Sequence, residues 1–485
     1  MKTISRRDFL AGSASAAIGA IGFPYIVSSS ALGANGGTAA SERVTVGCIG
    51  VGGQGTFNMR KVMEGNDDVQ MVAVCDVEKE NPRYLGSGFT GKWERGTGGC
   101  LPAKKRVKEY YAGKADSGTY KGCEAYTDFR ELVARDDIDA VVVSTTDHWH
   151  AICCAAAARS GKHIYCEKPL THSVYEARKL AEICREAGVA TQMGNQGHSS
   201  EDIRLICEWI WAGAIGNVTE VHTWTNRPVW PQGIDRPKDT PPVPDTLDWD
   251  LWLGPAPKRP YNPAYHPFDW RGWWDFGTGV MGDMGCHIID PVAWALKLGH
   301  PVTIQASHTP TNYDSAPLAS TIHYEFPARE GMPPVKLHWH TGGLTPERPP
   351  ELEEGRKLGG GDGNGVIFVG DKGKLMCGCY ASGPRIIPET KMRAFLKKGR
   401  PEKTIPRSKG VHRDWINACK GEGKASSNFD VAGPLTEIVL LGNLAIQCPE
   451  AKEQVLKWDG EQMKVTNIQA ANKYVNPPYR GDWTL

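Results

Sequence analysis

The sequence predicts an α/β protein in which a doubly wound parallel sheet is followed by a second α/β domain with a larger, mostly antiparallel sheet. A chain of 485 residues is too long for one hydrophobic core. In the first part, continuous apolar strand segments alternate with helical segments, and this alternation is typical of parallel sheets. In the second part, strand-like segments follow one another without intervening helices.

The predicted boundaries follow from this change of pattern. We expect a signal segment over residues 1–31, a Gly/Ala/Ser/Thr-rich linker over 32–43, a first α/β domain with the parallel sheet over 44–170 and a second α/β domain over 171–485. The Gly- and Lys-rich stretch 80–122 contains few apolar residues and predicts a surface insertion. The predicted strands of the first domain are Val44–Ile49, Val69–Cys75, Ala140–Ser144 and His163–Cys166. Those of the second are Val302–Ser307, Ser320–Phe326, Val335–His340 and Val366–Val369.

Charge and composition exclude some classes of partner. The 56 Lys and Arg nearly balance the 55 Asp and Glu, and the net charge is +1. This balance gives no electrostatic reason to expect binding to nucleic acid or to an anionic membrane. The 14 cysteines lie mostly in apolar runs, where they behave as small hydrophobic side chains. We therefore expect packing rather than disulfides, and no metal site.

The N-terminal segment has the features of an export signal. Ser5-Arg6-Arg7-Asp8-Phe9-Leu10 precedes a small, weakly apolar run, and Ser28-Ser29-Ser30-Ala31 offers small residues for cleavage. The arginine pair resembles a twin-arginine signal, and the alternative is a chance pair before a conventional signal. We expect export to the periplasm through the twin-arginine machinery. No other stretch reaches the roughly 18 apolar residues of a membrane helix, so we expect no stable membrane insertion.

A glycine-rich turn follows the first strand. Gly50-Val51-Gly52-Gly53-Gln54-Gly55 is a G-x-G-x-x-G motif between a buried strand and a helical run, the context in which the motif binds the pyrophosphate of a dinucleotide. Asp76 closes the second strand, where a carboxylate hydrogen-bonds a ribose 2′-hydroxyl and repels a 2′-phosphate. The turn and Asp76 therefore favour NAD over NADP.

Two further motifs carry candidate catalytic groups. Glu167-Lys168-Pro169 follows the strand His163–Cys166, and ligands of parallel sheets bind at such strand ends. Asp283 and His287 are four residues apart, so on a helix they share one face.

With these motifs in place, the sequence resembles the glucose–fructose oxidoreductase / inositol dehydrogenase / MocA family, over residues 43–450. The resemblance rests on the glycine turn, Asp76, the segment Ser144-Thr145-Thr146-Asp147-His148-Trp149-His150, Glu167-Lys168-Pro169 and Asp283-x-x-x-His287. It implies a Rossmann domain, a following α/β domain with an open mixed sheet, and a dimer or tetramer formed through that sheet. It implies catalytic roles for Lys168, Asp283 and His287. It also implies that Thr145, Thr146, Asp147, His150, Glu167 and Asn195 contact the cofactor or frame the pocket.

The chemistry of these side chains agrees with alcohol oxidation. His287 is suited to proton transfer near neutral pH, Lys168 to stabilising an alkoxide, and Asp283 to orienting its neighbours or a substrate hydroxyl. Seven of the 16 tryptophans lie between Trp224 and Trp274, and aromatic faces can stack on sugars. The sequence offers Trp224, Trp270, Trp273 and Trp274 as a sugar-binding wall, with domain packing as the alternative. His338-Trp339-His340 could suggest a metal pair, but residues i and i+2 of any strand share a face, so we predict no metal.

Three functions are compatible with the sequence. The first is a sugar or polyol dehydrogenase or reductase with tightly bound NAD. The second is an NAD-dependent glycoside hydrolase or lyase that oxidises C3, eliminates the C1 substituent and then reduces the ketone, with no net redox change. The third is a non-catalytic sugar-binding protein, which the presence of Lys168, Asp283 and His287 disfavours.

Overall fold

A computed structural model describes residues 38–115 and 120–485. The chain divides into two compact units, Met1–Arg43 and Val44–Leu485. The described part of the first unit contains a short 3-10 helix, Ala40–Glu42. The predicted twin-arginine segment and most of the predicted linker lie outside the described residues.

The first half of the second unit contains eight strands within the described residues. They are β1 (Val44–Ile49), β2 (Val69–Cys75), β3 (Asn81–Gly86), β4 (Glu94–Gly98), β5 (Glu124–Tyr126), β6 (Ala140–Val143), β7 (His163–Cys166) and β8 (Thr191–Met193). Six of them form a sheet in the order β5-β2-β1-β6-β7-β8, and every neighbouring pair is parallel. This is the strand order of a Rossmann fold, and the predicted doubly wound parallel sheet is confirmed. Its last strand lies beyond residue 170, where the sequence placed the domain boundary.

Helices cover both faces of this sheet. They are α1 (Gly53–Met63), α2 (Cys100–Ala112), α3 (Phe129–Val133), α4 (Asp147–Arg159) and α5 (Val174–Ala187). The next helix, α6 (Glu201–Trp211), packs against the helix Asp290–Ala295 of the second half. Successive residues of β6 show the two faces, since Val142 packs in one hydrophobic cluster and Val143 in another. Strands buried on both faces are continuously apolar, which is why the sequence revealed them. All 14 cysteines are free and all but Cys419 are buried, as the sequence predicted.

The second half contains the larger sheet. Its strands are β9 (Val218–Trp224), β10 (Thr303–His308), β11 (Ser320–Phe326), β12 (Val335–His340), β13 (Gly365–Gly370), β14 (Lys374–Cys377), β15 (Arg385–Ile387), β16 (Leu456–Asp459) and β17 (Lys464–Val465). They form one sheet in the order β15-β14-β13-β9-β12-β11-β10-β16-β17. Among these described strands only β9 and β12 pair in parallel, so the predicted mostly antiparallel mixed sheet is confirmed.

The remaining helices pack against one face of this sheet or return to the first half. They are α7 (Trp249–Leu253), α8 (Gly279–Ile288), α9 (Asp290–Ala295), α10 (Glu389–Lys397), α11 (Val411–Cys419) and α12 (Phe429–Gln447). Helix α12 is the one described helix with the length and apolar character to cross a membrane, and 83% of its most apolar window is buried inside the protein. It is therefore a core helix of this fold.

The prediction of a surface insertion over residues 80–122 is corrected by the structure. Strands β3 and β4 form a hairpin that packs on the start of α1, where a Cβ on Gly53 would overlap the carbonyl oxygen of Leu85. Tyr84 of this hairpin is 8% exposed. The sequence did not reveal this packing because the hairpin contacts glycine backbone, which carries no apolar pattern.

Candidate active site

The glycine turn lies where the sequence predicted, between β1 and α1. Gly50 has a φ of 81°, and a Cβ there would lie 2.6 Å from the carbonyl oxygen of Ser144. Both constraints require glycine. Helix α1 begins at Gly53, and no described side chain caps its first turn. Its first N–H groups are therefore available to an anion, such as a pyrophosphate.

Asp76 follows β2, beside this turn. Its two carboxylate oxygens accept hydrogen bonds from the backbone N–H of Val51, at 2.8 Å, and of Glu78, at 2.9 Å. Burial raises the pKa of Asp76 to about 6. The backbone thus fixes a carboxylate at the end of the second strand, the position from which it can reach a ribose.

A cavity of about 630 Å³ extends from the glycine turn to α8. It opens at the carboxyl ends of β1, β2, β6 and β7, the edge at which parallel sheets bind ligands. The predicted site residues that line it are Gly50, Gly52, Gly53, Gln54, Gly55, Asp76, Thr145, Thr146, His150, Glu167, Lys168, Trp270, Asp283 and His287.

Lys168 and Asp283 form an ion pair at the α8 end of this cavity. The Nζ of Lys168 donates to the Oδ1 of Asp283 at 2.7 Å and to its backbone oxygen at 2.8 Å. Each side chain is 14% exposed. The Lys168 ammonium and the Arg271 guanidinium outweigh burial and hold the pKa of Asp283 well below its usual range. The Asp283 carboxyl is therefore ionised at neutral pH.

His287 lies one helical turn after Asp283 and lines the same cavity. Its ring centroid is 4.6 Å from that of Tyr380, and its Nδ1 is buried with no hydrogen-bond partner among the described residues. Burial, reinforced by Lys168, lowers the pKa of His287 well below its usual value. The imidazole is therefore neutral at pH 7 and can accept a proton.

Buried hydrogen bonds hold the strand ends around these groups. The Oε1 of Glu167 accepts from Asn58 at 2.9 Å and from Gln54 at 3.2 Å, which ties the end of β7 to α1. The ring of His150 lies between the carbonyl oxygens of Pro169, at 2.7 Å, and Thr145, at 3.2 Å. These contacts fix the backbone on which Lys168 is carried.

Asp147 lies behind the cavity wall rather than on it. Its carboxylate accepts hydrogen bonds from Arg271 at 3.1 Å and from the backbone N–H of Thr278 at 3.0 Å. Arg271 in turn lies 3.6 Å from the Oδ1 of Asp283 and lines the cavity. Asp147 thus positions an arginine that the sequence motifs did not indicate.

Four other predicted site residues are not among the residues that line this cavity. Asn195 is buried and donates to Asp290 at 3.1 Å. Trp224 packs in a hydrophobic cluster beneath the larger sheet. Trp273 packs in the cluster around α7, and Trp274 in the main core. The positions of these three tryptophans in hydrophobic clusters are those that the domain-packing alternative expects.

Several cavity residues were not predicted from the sequence. One of them is Arg271, and the aromatic ones include Trp93 of the hairpin region, Trp230 and Tyr380. Arg271 stacks its guanidinium 4.3 Å from the ring centroid of Trp270. Trp230 was within the tryptophan-rich stretch and could have been chosen there. Tyr380 carries no sequence signal, because only the tertiary fold brings it to His287.

Sequence comparison identifies both domains. The model described as "Oxidoreductase family, NAD-binding Rossmann fold" matches residues 104–195. The model described as "Oxidoreductase family, C-terminal alpha/beta domain" of the same family matches residues 210–330.

Individual relatives match part of their length. A 1,5-anhydro-D-fructose reductase of Ensifer adhaerens is 39% identical over 190 residues, which are 38% of this chain and 46% of that protein. A glycosyl hydrolase family 109 protein of Saccharopolyspora erythraea is 29% identical over 256 residues, 52% of this chain and 44% of that protein. The chain thus matches less than half the length of these two relatives.

Solved structures share the fold. An NAD-binding protein from Listeria innocua superposes with a TM-score of 0.54 at 14% identity, covering 86% of this chain and 97% of that one. The WlbA dehydrogenase from Bordetella pertussis, in complex with NADH and UDP-GlcNAcA, gives 0.53 at 16% identity, covering 86% and 98%. Two models of one oxidoreductase family, Gfo/Idh/MocA, thus match residues 104–195 and 210–330 of this chain, which shares its fold with these solved structures.

Proposed function

We propose that this protein is an NAD-dependent oxidoreductase that acts on a secondary hydroxyl of a sugar, glycoside or polyol. The observation that carries the proposal is the continuous cavity that joins the glycine turn and Asp76 to the Lys168–Asp283 pair and His287. A cofactor site and a proton-transfer site in one space are what alcohol oxidation requires.

The first half of the cavity suits NAD. The start of α1 offers uncapped backbone N–H groups to the pyrophosphate. Asp76 offers a carboxylate to the ribose hydroxyls, and its negative charge disfavours the 2′-phosphate of NADP. When bound, NAD supplies the hydride acceptor for the substrate C–H, or NADH the hydride for the reverse reaction.

The other half suits the hydroxyl that is oxidised. Neutral His287 accepts the hydroxyl proton, and the Lys168 ammonium stabilises the negative charge that develops on the substrate oxygen. Asp283 holds the Lys168 ammonium in place through its 2.7 Å contact. In reduction the same proton returns from His287 to the carbonyl oxygen.

A carbohydrate is the substrate class that the lining supports best. Trp230 and Trp270 present aromatic faces, and Arg271 adds hydrogen-bond donors beside them. Aromatic faces with a few placed polar groups recognise sugars. Relatives named as a 1,5-anhydro-D-fructose reductase and a levoglucosan dehydrogenase of Pseudarthrobacter phenanthrenivorans support the same class.

A second candidate function is a redox-neutral glycoside hydrolase or lyase. Oxidation at C3 would acidify the C2 hydrogen, the C1 substituent would leave, water would add, and the hydride would return to the C3 ketone. Relatives named as glycosyl hydrolase family 109 proteins and as an alpha-N-acetylgalactosaminidase favour it. The same three side chains would serve both cycles.

Export of the folded, NAD-loaded protein to the periplasm is part of the proposal. It rests on the sequence Ser5-Arg6-Arg7-Asp8-Phe9-Leu10, since the twin-arginine route carries folded proteins. Exchangeable NAD would be lost outside the cytoplasm, so we propose that the cofactor stays bound through turnover.

We further propose a homodimer or homotetramer formed through the larger sheet.

One experiment tests the proposal and separates its two forms. The purified protein, dialysed and without added NAD, is incubated with a panel of sugars and glycosides. Bound NADH is followed by absorbance, and keto-sugar and released aglycone are quantified. Keto-sugar with accumulating NADH supports the oxidoreductase, whereas released aglycone with no net NADH supports the hydrolytic cycle. A protein that carries no NAD, binds none when it is added, and turns over no member of the panel would contradict both.

A further inference from the structure

A cluster of four imidazoles and one carboxylate lies on the larger sheet, on the face opposite the main core. Its members are Glu220 and His222 on β9, His338 and His340 on β12, and His323 on β11. The residues between two members on one strand, Val221 on β9 and Trp339 on β12, are fully buried in the core. In the register of the sheet His338 lies directly between His222 and His323.

Three donor atoms of this cluster converge. The Oε1 of Glu220 lies 3.2 Å from the Nε2 of His222 and 3.1 Å from the Nε2 of His338. All three atoms lie within 4.8 Å of one another. Around a metal ion with bonds of about 2.1 Å, neighbouring ligand atoms are separated by roughly 3.0–3.4 Å. The spacing between the carboxylate and each imidazole already has this value.

The outer contact of His338 fits a metal-binding histidine. The Nδ1 of His338 lies 2.6 Å from the Nδ1 of His323, so His338 can donate there while its Nε2 lone pair faces Glu220. A metal-bound imidazole usually donates its other N–H in this way. Nδ1 of His222 and Nε2 of His340 are buried with no hydrogen-bond partner in residues 38–115 and 120–485.

Charge around the cluster does not oppose a cation. The nearby lysines are paired elsewhere, Lys336 with Glu325 at 3.4 Å and Lys374 with Glu351 at 2.8 Å. Side-chain exposures of 25% for His222 and 16% for His338 leave the site open to solvent.

We propose that Glu220, His222 and His338 bind one divalent transition metal ion of the zinc type. Two imidazoles and one carboxylate are ligands that suit zinc, and they leave coordination positions for water or for a further ligand. The ion joins β9 to β12, the parallel pair of this sheet. The prediction of no metal treated His338 and His340 as a pair on one strand, whereas this site takes its ligands from two strands.

The test measures zinc directly on the untagged full-length protein. After dialysis against a chelator, zinc is added back, and bound metal per chain is determined by mass spectrometry and by calorimetric titration. We expect one zinc ion per chain and a rise in Tm that the chelator reverses. His338→Ala and Glu220→Gln remove ligands and are expected to abolish stoichiometric binding. His323→Ala removes an outer partner and is expected to weaken binding about 10- to 100-fold.

His308→Ala is the matched control. His308 ends β10 of the same sheet, and its Nδ1 contacts the backbone oxygen of Thr309 instead of the cluster. Its removal should leave zinc binding unchanged. Glu220 is 43% exposed, so Glu220→Gln is expected to fold normally even if His338→Ala does not. Zinc binding that is absent in the wild type, or unchanged in Glu220→Gln, would overturn the proposal and leave a hydrogen-bonded cluster only.

Discussion

The change Lys168→Met tests the centre of the proposed active site. It keeps the unbranched side chain to within one heavy atom of its length, while it removes the ammonium that donates to both Oδ1 and the backbone oxygen of Asp283. The Asp283 carboxylate is then left in a largely buried position, with the Arg271 guanidinium still 3.6 Å away. We expect losses of both stability and rate, and the two can be measured separately.

Their magnitudes follow from the environment of the pair. Removing one partner of a buried ion pair costs about 3–5 kcal/mol. Because both side chains are 14% exposed and Arg271 remains, we expect the lower end, about 3 kcal/mol. Removing one group that stabilises a developing oxyanion lowers kcat by about 10²- to 10³-fold, or about 2.7–4 kcal/mol. Lys168 also contributes to the lowered pKa of His287. Its removal should therefore raise the pKa of His287 and shift the pH profile of the reaction toward higher pH.

Single-turnover hydride transfer, followed by the absorbance of bound NADH, is the assay. Thermal unfolding of the NAD-loaded protein reports stability in parallel. Lys162→Met is the matched control, because Lys162 is a buried lysine whose Nζ donates to the backbone oxygens of Arg135, at 2.7 Å, and Ile138, at 3.0 Å, outside the cavity. The control should lose stability and keep its rate. If Lys168→Met transfers hydride at the wild-type rate with NAD bound, the assignment of this pair to the chemistry is refuted.

Three further changes probe other parts of the cavity. His287→Ala should slow hydride transfer about 10²- to 10⁴-fold and leave NAD bound. If this variant instead forms NADH at the wild-type rate but releases no product, His287 acts in a later elimination or hydration step. Wild-type affinity for NAD, measured by fluorescence titration, should fall as the pH drops below about 6, because the raised pKa of Asp76 leaves its carboxyl protonated there. Asp76→Ala should flatten this pH dependence and shift cofactor preference toward NADP. If the ratio of the affinities for NAD and NADP does not change in Asp76→Ala, Asp76 does not contact the ribose. Gly53→Ala should weaken NAD binding by about 1–3 kcal/mol, because the new Cβ displaces the hairpin at Leu85; unchanged affinity would mean that the hairpin does not shape the site.

The sequence predicted much of the fold for a physical reason. Strands buried on both faces are continuously apolar, so β1, β2, β6 and β7 were recognisable within one residue of their bounds. Helix α5 is bounded by local signals, because Ser173 caps its start and Gly188, with a φ of 66°, ends it. The hairpin β3–β4 was missed, since it packs on backbone at Gly53 and leaves no periodic apolar pattern.

The site residues fall into two groups: those that a short sequence motif identifies, and those that only the tertiary fold brings to the cavity. The glycine turn, Asp76, Lys168, Asp283 and His287 are each set by a short motif at a strand end or on one helix turn, so the sequence was enough to name them. Which tryptophans face the cavity was beyond the sequence, since composition alone does not separate Trp270 from the buried Trp273 and Trp274.

The amino-acid sequence by itself determined the buried strands β1, β2, β6 and β7 and the positions of the motif residues, because hydrophobic runs and glycine turns act over a few neighbours in the chain. The tertiary structure alone decided that Arg271 would reach Asp283, that Tyr380 would lie beside His287, and that Glu220, His222 and His338 would converge on one face of a sheet. These groups are distant in the chain, and their approach depends on strand register and on the packing of α8 against α12, which no local pattern encodes.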